Sequence, residues 1–188
     1  MINYQKLANA LFGVVEKGEH LYSIHDGARS VEIASALQNV AVEKFSLYRG
    51  RSEEPLWDVA PYIIRCERDT PFLRWVLERG WGNSWGIFLT SKASLEELLR
   101  HFQQFLLVKL PDEKDFYFRF YDPRVLRAFL PTCTLEETRE FFGPVRCYLG
   151  EAQEPETLLK FTVDQQGALQ HSVSLFLLDP QDTENTIS

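Results

Sequence analysis

Arg119, Asp122, Arg124 and Arg127 crowd one short segment, FYFRFYDPRVLRAFL, at residues 116–130. Guanidinium forks in that density either fix a corner by pairing with Asp122 and nearby carboxylates or grip the acids of a partner. A second block, Gly82-Asn83-Ser84-Trp85-Gly86, matches G-x-S-x-G. In a hydrolase such a serine is a nucleophile because a strand enters the turn and a helix leaves it. Here the order is reversed, since a helical pattern ends at Gly80 and a strand pattern starts near Gly86. Asp164 and His171 would supply the order Ser…Asp…His, but they lie in a C-terminal hairpin. The block therefore reads first as a tight turn seating Trp81 and Trp85, with serine hydrolysis through Ser84 as the alternative.

Metal and thiol chemistry find weaker footing. His25-Asp26 is half of an H-D motif whose remaining ligands are missing at ligand spacing, and His20, His101 and His171 have no helical i, i+4 companion. Asp26-Gly27 reads instead as a strand-ending turn, with Arg29 solvated or paired nearby. Cys66, Cys133 and Cys147 are odd in number, widely spaced and without a C-x-x-C pair, the pattern of reduced structural thiols. Neither G-x-G-x-x-G nor a Walker loop occurs. No metal and no cofactor is expected.

The totals narrow the class. The 188 residues suit one domain, or one domain with a small appendage, and 45% hydrophobic with 13% aromatic content supplies a packed core. A net charge of −7 opposes nucleic-acid and anionic-membrane binding. No apolar run reaches the roughly 18 residues of a membrane span, and the N-terminal residues lack a basic region with a cleavage site, so a cytoplasmic protein is expected.

The elements that must position these residues follow from periodicity. Leu7, Ala10, Leu11, Val14 and Val15 make a helix of 3–17 that Gly18 ends. Strands are read at 20–26, 43–50, 61–66 (central), 86–90, 145–149 and as hairpins at 105–110 with 115–121 and 158–163 with 169–178. Helices are read at 30–38, after Thr70-Pro71 with Gly80 as its C-terminal glycine, after Asp122-Pro123, and behind capping boxes at Ser94/Glu97 and Thr134/Glu137. The expected fold is α+β: a central mixed sheet flanked by helices, with a main domain at 1–149 and a short extension at 150–188 carrying a β-hairpin.

LYSIHDGAR (21–29), APYIIRCERDTPFLRWVLERGWGNSWGIFLTS (60–91), FYFRFYDPRVLRAFLPTCT (116–134) and EETREFFGPVRCYL (136–149) together resemble a known family. It is the domain of unknown function 4123 family, the bacterial type VI secretion effector adaptors. The resemblance implies a non-enzymatic cytoplasmic chaperone that binds a cognate toxic effector and helps load it onto the VgrG spike, usually encoded beside both genes. It also implies that the GNSWG block belongs to the scaffold. Such an adaptor needs an apolar or strand-edge surface rimmed by charge. Two regions are candidates: the corner of Arg119, Asp122, Arg124 and Arg127 with Trp81 and Trp85, and the 158–178 hairpin, with Phe161 and Phe176 as anchors. A structural subunit of the secretion machine is a third reading.

Overall fold

A computed structural model describes residues 3–48, 59–109, 115–154 and 156–175. Helices α1 (Tyr4–Gly13), α2 (Val31–Asn39), α3 (Pro71–Gly80), α4 (Leu95–Gln103), α5 (Pro123–Phe129) and α6 (Leu135–Phe142) surround a seven-stranded sheet. Its strands are β1 (His20–His25), β2 (Lys44–Ser46), β3 (Tyr62–Cys66), β4 (Gly86–Ser91), β7 (Val145–Glu151), β8 (Thr157–Val163) and β9 (Leu169–Leu175). They lie in the order β2-β3-β1-β4-β7-β8-β9. Strands β5 (Leu107–Lys109) and β6 (Asp115–Tyr117) form a separate ribbon.

The class is the expected α+β one, and every strand pairing among the described residues is antiparallel. The mixed sheet expected from alternating strands and helices assumed parallel crossovers, and none is present among the described strands. The C-terminal hairpin exists, and it is continuous with the central sheet because β8 pairs with β7 from Cys147↔Thr162 to Glu151↔Leu158.

The sheet separates two cores because strand side chains alternate between its faces. On one face Leu7, Leu11, Ile33, Leu37, Leu73 and Leu77, from α1, α2 and α3, meet Leu21, Ile64, Phe88 and Leu149. On the other, Leu98, Phe102, Leu126, Phe141 and Phe142, from α4, α5 and α6, meet Tyr22, Ile24, Ile87 and Tyr148. Aromatic rings fill the second core: Phe102 stacks on Phe120 at 5.3 Å and Phe141 on Tyr148 at 5.2 Å.

Side-chain caps place the helix starts where the sequence puts them. Thr70 accepts from Leu73 N, both capping boxes close, and the Asp122 carboxylate accepts from Arg124 N with Pro123 opening α5. Several boundaries differ from expectation: β2 is only Lys44–Ser46, with Leu47 and Tyr48 in a turn, and β5 only Leu107–Lys109. Helix α1 stops at Gly13, and Gly18, at φ +81°, serves the turn into β1. Strand β6 ends at Tyr117, and the alternation beyond it breaks because neighbours Phe120 and Tyr121 both pack in the second core. A strand would send those two side chains to opposite faces. Gly80 also has a different role. It is the last residue of α3, and a Cβ there would stand 2.7 Å from Cε3 of Trp85. The turn at 111–114 and the end of the hairpin past 175 lie outside the described residues.

Candidate functional site

Strand register brings the chemically interesting residues to one end of the sheet. His25 pairs with Gly86, and β7 runs alongside β4 to end at Glu151, with the Asp122 end of α5 above. Gly150 has room only for ordinary contact, since a Cβ there would meet Cβ of Pro123 at 3.5 Å. The GNSWG turn, the acid after β1 and the start of α5 therefore form one polar corner.

The turn is anchored by a residue the sequence reading missed. Glu151 is 6% exposed and its carboxylate accepts from Gly82 N at 2.5 Å, Ser84 N at 3.0 Å and Ser84 Oγ at 2.9 Å. Ser84 holds φ +55°, a left-handed conformation unusual outside glycine, and Gly82 sits at φ +83°. Three donors from this strained turn converge on one buried acid. Burial raises the Glu151 pKa, while the Gly82 and Ser84 donors and the Arg127 charge act against that rise. The only trace of this role in the sequence is an acid directly after the apolar run Cys147-Tyr148-Leu149-Gly150.

The arginines pair with acids. Arg119 forms an ion pair with Asp26, whose other oxygen accepts from Ala28 N at 2.9 Å. Asp26 is 1% exposed, so it is buried and fully engaged. Arg124 forks onto Asp122 at 3.0 and 2.6 Å. Burial pushes the Asp122 carboxyl up, but the Arg124 hydrogen bonds and charge hold it below the usual range. Arg127 donates to the Glu151 carbonyl at 2.7 Å, and Arg29 donates to the Asn83 carbonyl at 3.1 Å. The expected pairing with carboxylates is present for Arg119, on the turn acid Asp26, and for Arg124, on Asp122, while Arg127 takes a backbone carbonyl.

The remaining candidates fall in different places. Trp81 and Trp85 are buried at 6% and 7%, with Trp85 5.0 Å from the Trp75 ring and Trp81 6.3 Å from Phe88. Phe161 is buried at 3% in the second core and Asp122 at 3% beneath Arg124. These four, expected on a partner surface, are enclosed because two helix layers and the sheet close over them. Arg119 and Arg124 keep exposed side chains, and Phe176 lies outside the described residues.

His25 is 1% exposed, set edge-on to Phe72 and Phe88 at 6.1 and 5.8 Å. Neither ring nitrogen has a hydrogen-bond partner among the described residues. Burial drops its pKa to about 4, against a smaller opposing effect of the Trp85 backbone. The cavity it shares with Trp81, Trp85 and Glu151 holds about 10 Å³, room for one water at most. Asp164 and His171 do not join Ser84: Asp164 caps the hairpin by accepting from Gln166 N and Ala168 N, and His171 on β9 pairs with Phe161 on β8. Larger cavities, of about 200 and 310 Å³, lie around Cys66 and Arg65 and around His20 and Lys92, and neither touches the corner. Among the described residues no three His, Cys, Asp or Glu side chains converge as metal ligands, and no helix is long and apolar enough to cross a membrane.

No curated protein and no solved structure matches the chain. One family model does, that of the domain of unknown function DUF4123, over residues 21–140. That span contains β1 from Leu21 on, the GNSWG turn and the Asp122 start of α5, though not Glu151, and it covers well over half of the sequence. The chain belongs to the DUF4123 family.

Proposed function

We propose that this protein is a non-enzymatic cytoplasmic adaptor that binds a cognate type VI secretion effector and helps load it onto the VgrG spike. One observation carries the reading: the polar groups of the corner already hold one part of the chain to another. Ser84 Oγ donates to Glu151 and not to an imidazole. Asp26 and Asp122 hold arginines, so the corner works as a brace for the turn, β1 and α5. With catalysis disfavoured, recognition falls to the surface, where β9 is the last strand of the sheet among the described residues and Val173 stands 59% exposed. The resemblance in the opening motifs supports the same assignment.

The test is co-expression with the protein encoded by the adjacent gene. An adaptor co-elutes with it on size exclusion and raises its soluble yield. A chain that does neither is not its adaptor. Labelling of Ser84 by a fluorophosphonate probe would favour the serine-hydrolase alternative, and co-sedimentation with sheath or baseplate would favour a structural subunit.

A further inference from the structure

We propose that the outer edge of β9, which no other described strand pairs, is the docking site, and that it takes up an extended, basic-flanked segment of the partner as an added antiparallel or parallel strand. This deepens the adaptor reading and rests on it. The hairpin fixes which groups are available. Asp164 N donates to Ala168 O at 3.0 Å, which makes that pair a hydrogen-bonded one. Antiparallel ladders alternate, so Thr162↔Gln170, Lys160↔Ser172 and Leu158↔Ser174 are bonded pairs as well. The N–H and C=O groups of Leu169, His171, Val173 and Leu175 therefore point away from β8, along the free edge.

Nothing in the strand itself guards that edge. Natural sheets blunt their edges with lysine, proline, bulges or short strands. The segment LQHSVSL carries no charge and no proline, and its seven residues pair with β8 without a register shift. The opposite edge is different: β2 has three residues, one of them Lys44. Residues 170–174 are exposed, while Leu159 and Phe161 across the ladder are buried. A docked strand would thus extend an existing apolar face through Val173.

Charge selects the occupant. Glu154 and Glu156 are exposed on the turn before β8, beside the Leu175 end because Thr157 pairs with Leu175. A second copy paired antiparallel about a twofold would set that acidic turn against the Asp164 tip of its mate, where Arg139 on the Gln166 carbonyl balances Asp164 and the tip has no net charge to attract it. A foreign strand flanked by lysine or arginine meets attraction at the same place.

The probe is a labelled synthetic peptide of alternating valine and threonine with two lysines at each end, titrated into the full chain by fluorescence anisotropy. Val173→Pro and His171→Pro each delete an outward donor without touching a bond to β8, and each should weaken binding roughly tenfold or more. Val173→Thr keeps the donor and should bind like wild type, and a glutamate-flanked peptide should bind worst. Hydrogen exchange should show the Val173 and His171 amides fast in the free chain and slowed by the peptide. The proposal is overturned if both proline variants bind normally or if the glutamate-flanked peptide binds equally well. Edge amides protected in the free chain, or a dimer that Val173→Pro dissociates, would overturn it too. The adjacent-gene effector separates the two claims. Equal binding to wild type and Val173→Pro defeats the edge site and leaves the adaptor reading standing. No effector binding, with the peptide behaving as expected, defeats the adaptor reading and leaves the edge site standing.

Discussion

Replacing His25 by leucine should flatten the acid dependence of stability. His25 sits wholly inside the protein between Phe72 and Phe88, and burial takes its pKa from 6.5 to about 4. Between those values the unfolded chain binds a proton that the folded chain refuses. Stability contributed by neutral His25 is therefore complete above pH 6.5 and is lost as pH falls toward 4. At about 1.4 kcal/mol per pH unit the full linkage is about 3 kcal/mol, of which about 2 kcal/mol falls between pH 7 and pH 5. Leucine has a comparable volume, suits the aromatic surroundings and carries no proton. Urea unfolding at pH 7 and pH 5 measures both chains. Wild type should lose about 2 kcal/mol more than His25→Leu over that step. Glu151 titrates in the opposite sense, since a raised carboxyl pKa gives stability that fades as pH rises, but it is common to both chains and cancels. Parallel pH profiles for the two proteins would refute the reasoning.

Other outcomes follow from the corner and the core. Glu151→Ala strands three donors and should cost about 3–5 kcal/mol, Ser84→Ala about 1 kcal/mol, and a double-mutant cycle should show coupling of about 1 kcal/mol; strict additivity would mean the turn is held otherwise. Gly86→Ala would drive a Cβ into the Ile24 carbonyl and the His25 backbone, so thermal melts should show a loss above about 3 kcal/mol or no folded protein at all. Asp122→Ala removes the α5 cap and should cost about 1–2 kcal/mol, whereas Arg124→Ala, at a side chain 54% exposed, should cost less than about 1 kcal/mol. Burial pushes the Cys66 and Cys147 thiols up to about 12, so iodoacetamide followed by mass spectrometry should modify half-buried Cys133 first, half-buried Cys66 more slowly and buried Cys147 only on unfolding.

Local rules were legible in the sequence where they act within a few residues. Asp122-Pro123, Thr70-Pro71 and the Ser94/Glu97 and Thr134/Glu137 boxes set helix starts through bonds spanning two or three positions. Contacts between distant segments were not legible. Asp26 and Arg119 are 93 positions apart, and Ser84 and Glu151 67, and nothing in the spacing of either residue announces its mate. Strand direction was obscured for a related reason, because helices between strands suggest crossovers whichever way the strands then pair. The burial of Trp81 and Trp85 was not legible either, because it depends on Glu151, 67 positions beyond Ser84, holding the turn between them. The strand edge of β9 was legible only as an excess of apolar residues. Its unpaired face emerged from the register with β8.

Calorimetric titration of the intact chain with its adjacent-gene effector, using Ser84→Ala alongside wild type, puts the central claim at risk most directly. The account predicts a saturable complex of unchanged affinity in both, with no turnover of ester substrates by either. Absence of any complex, together with ester hydrolysis that Ser84→Ala abolishes, would contradict it.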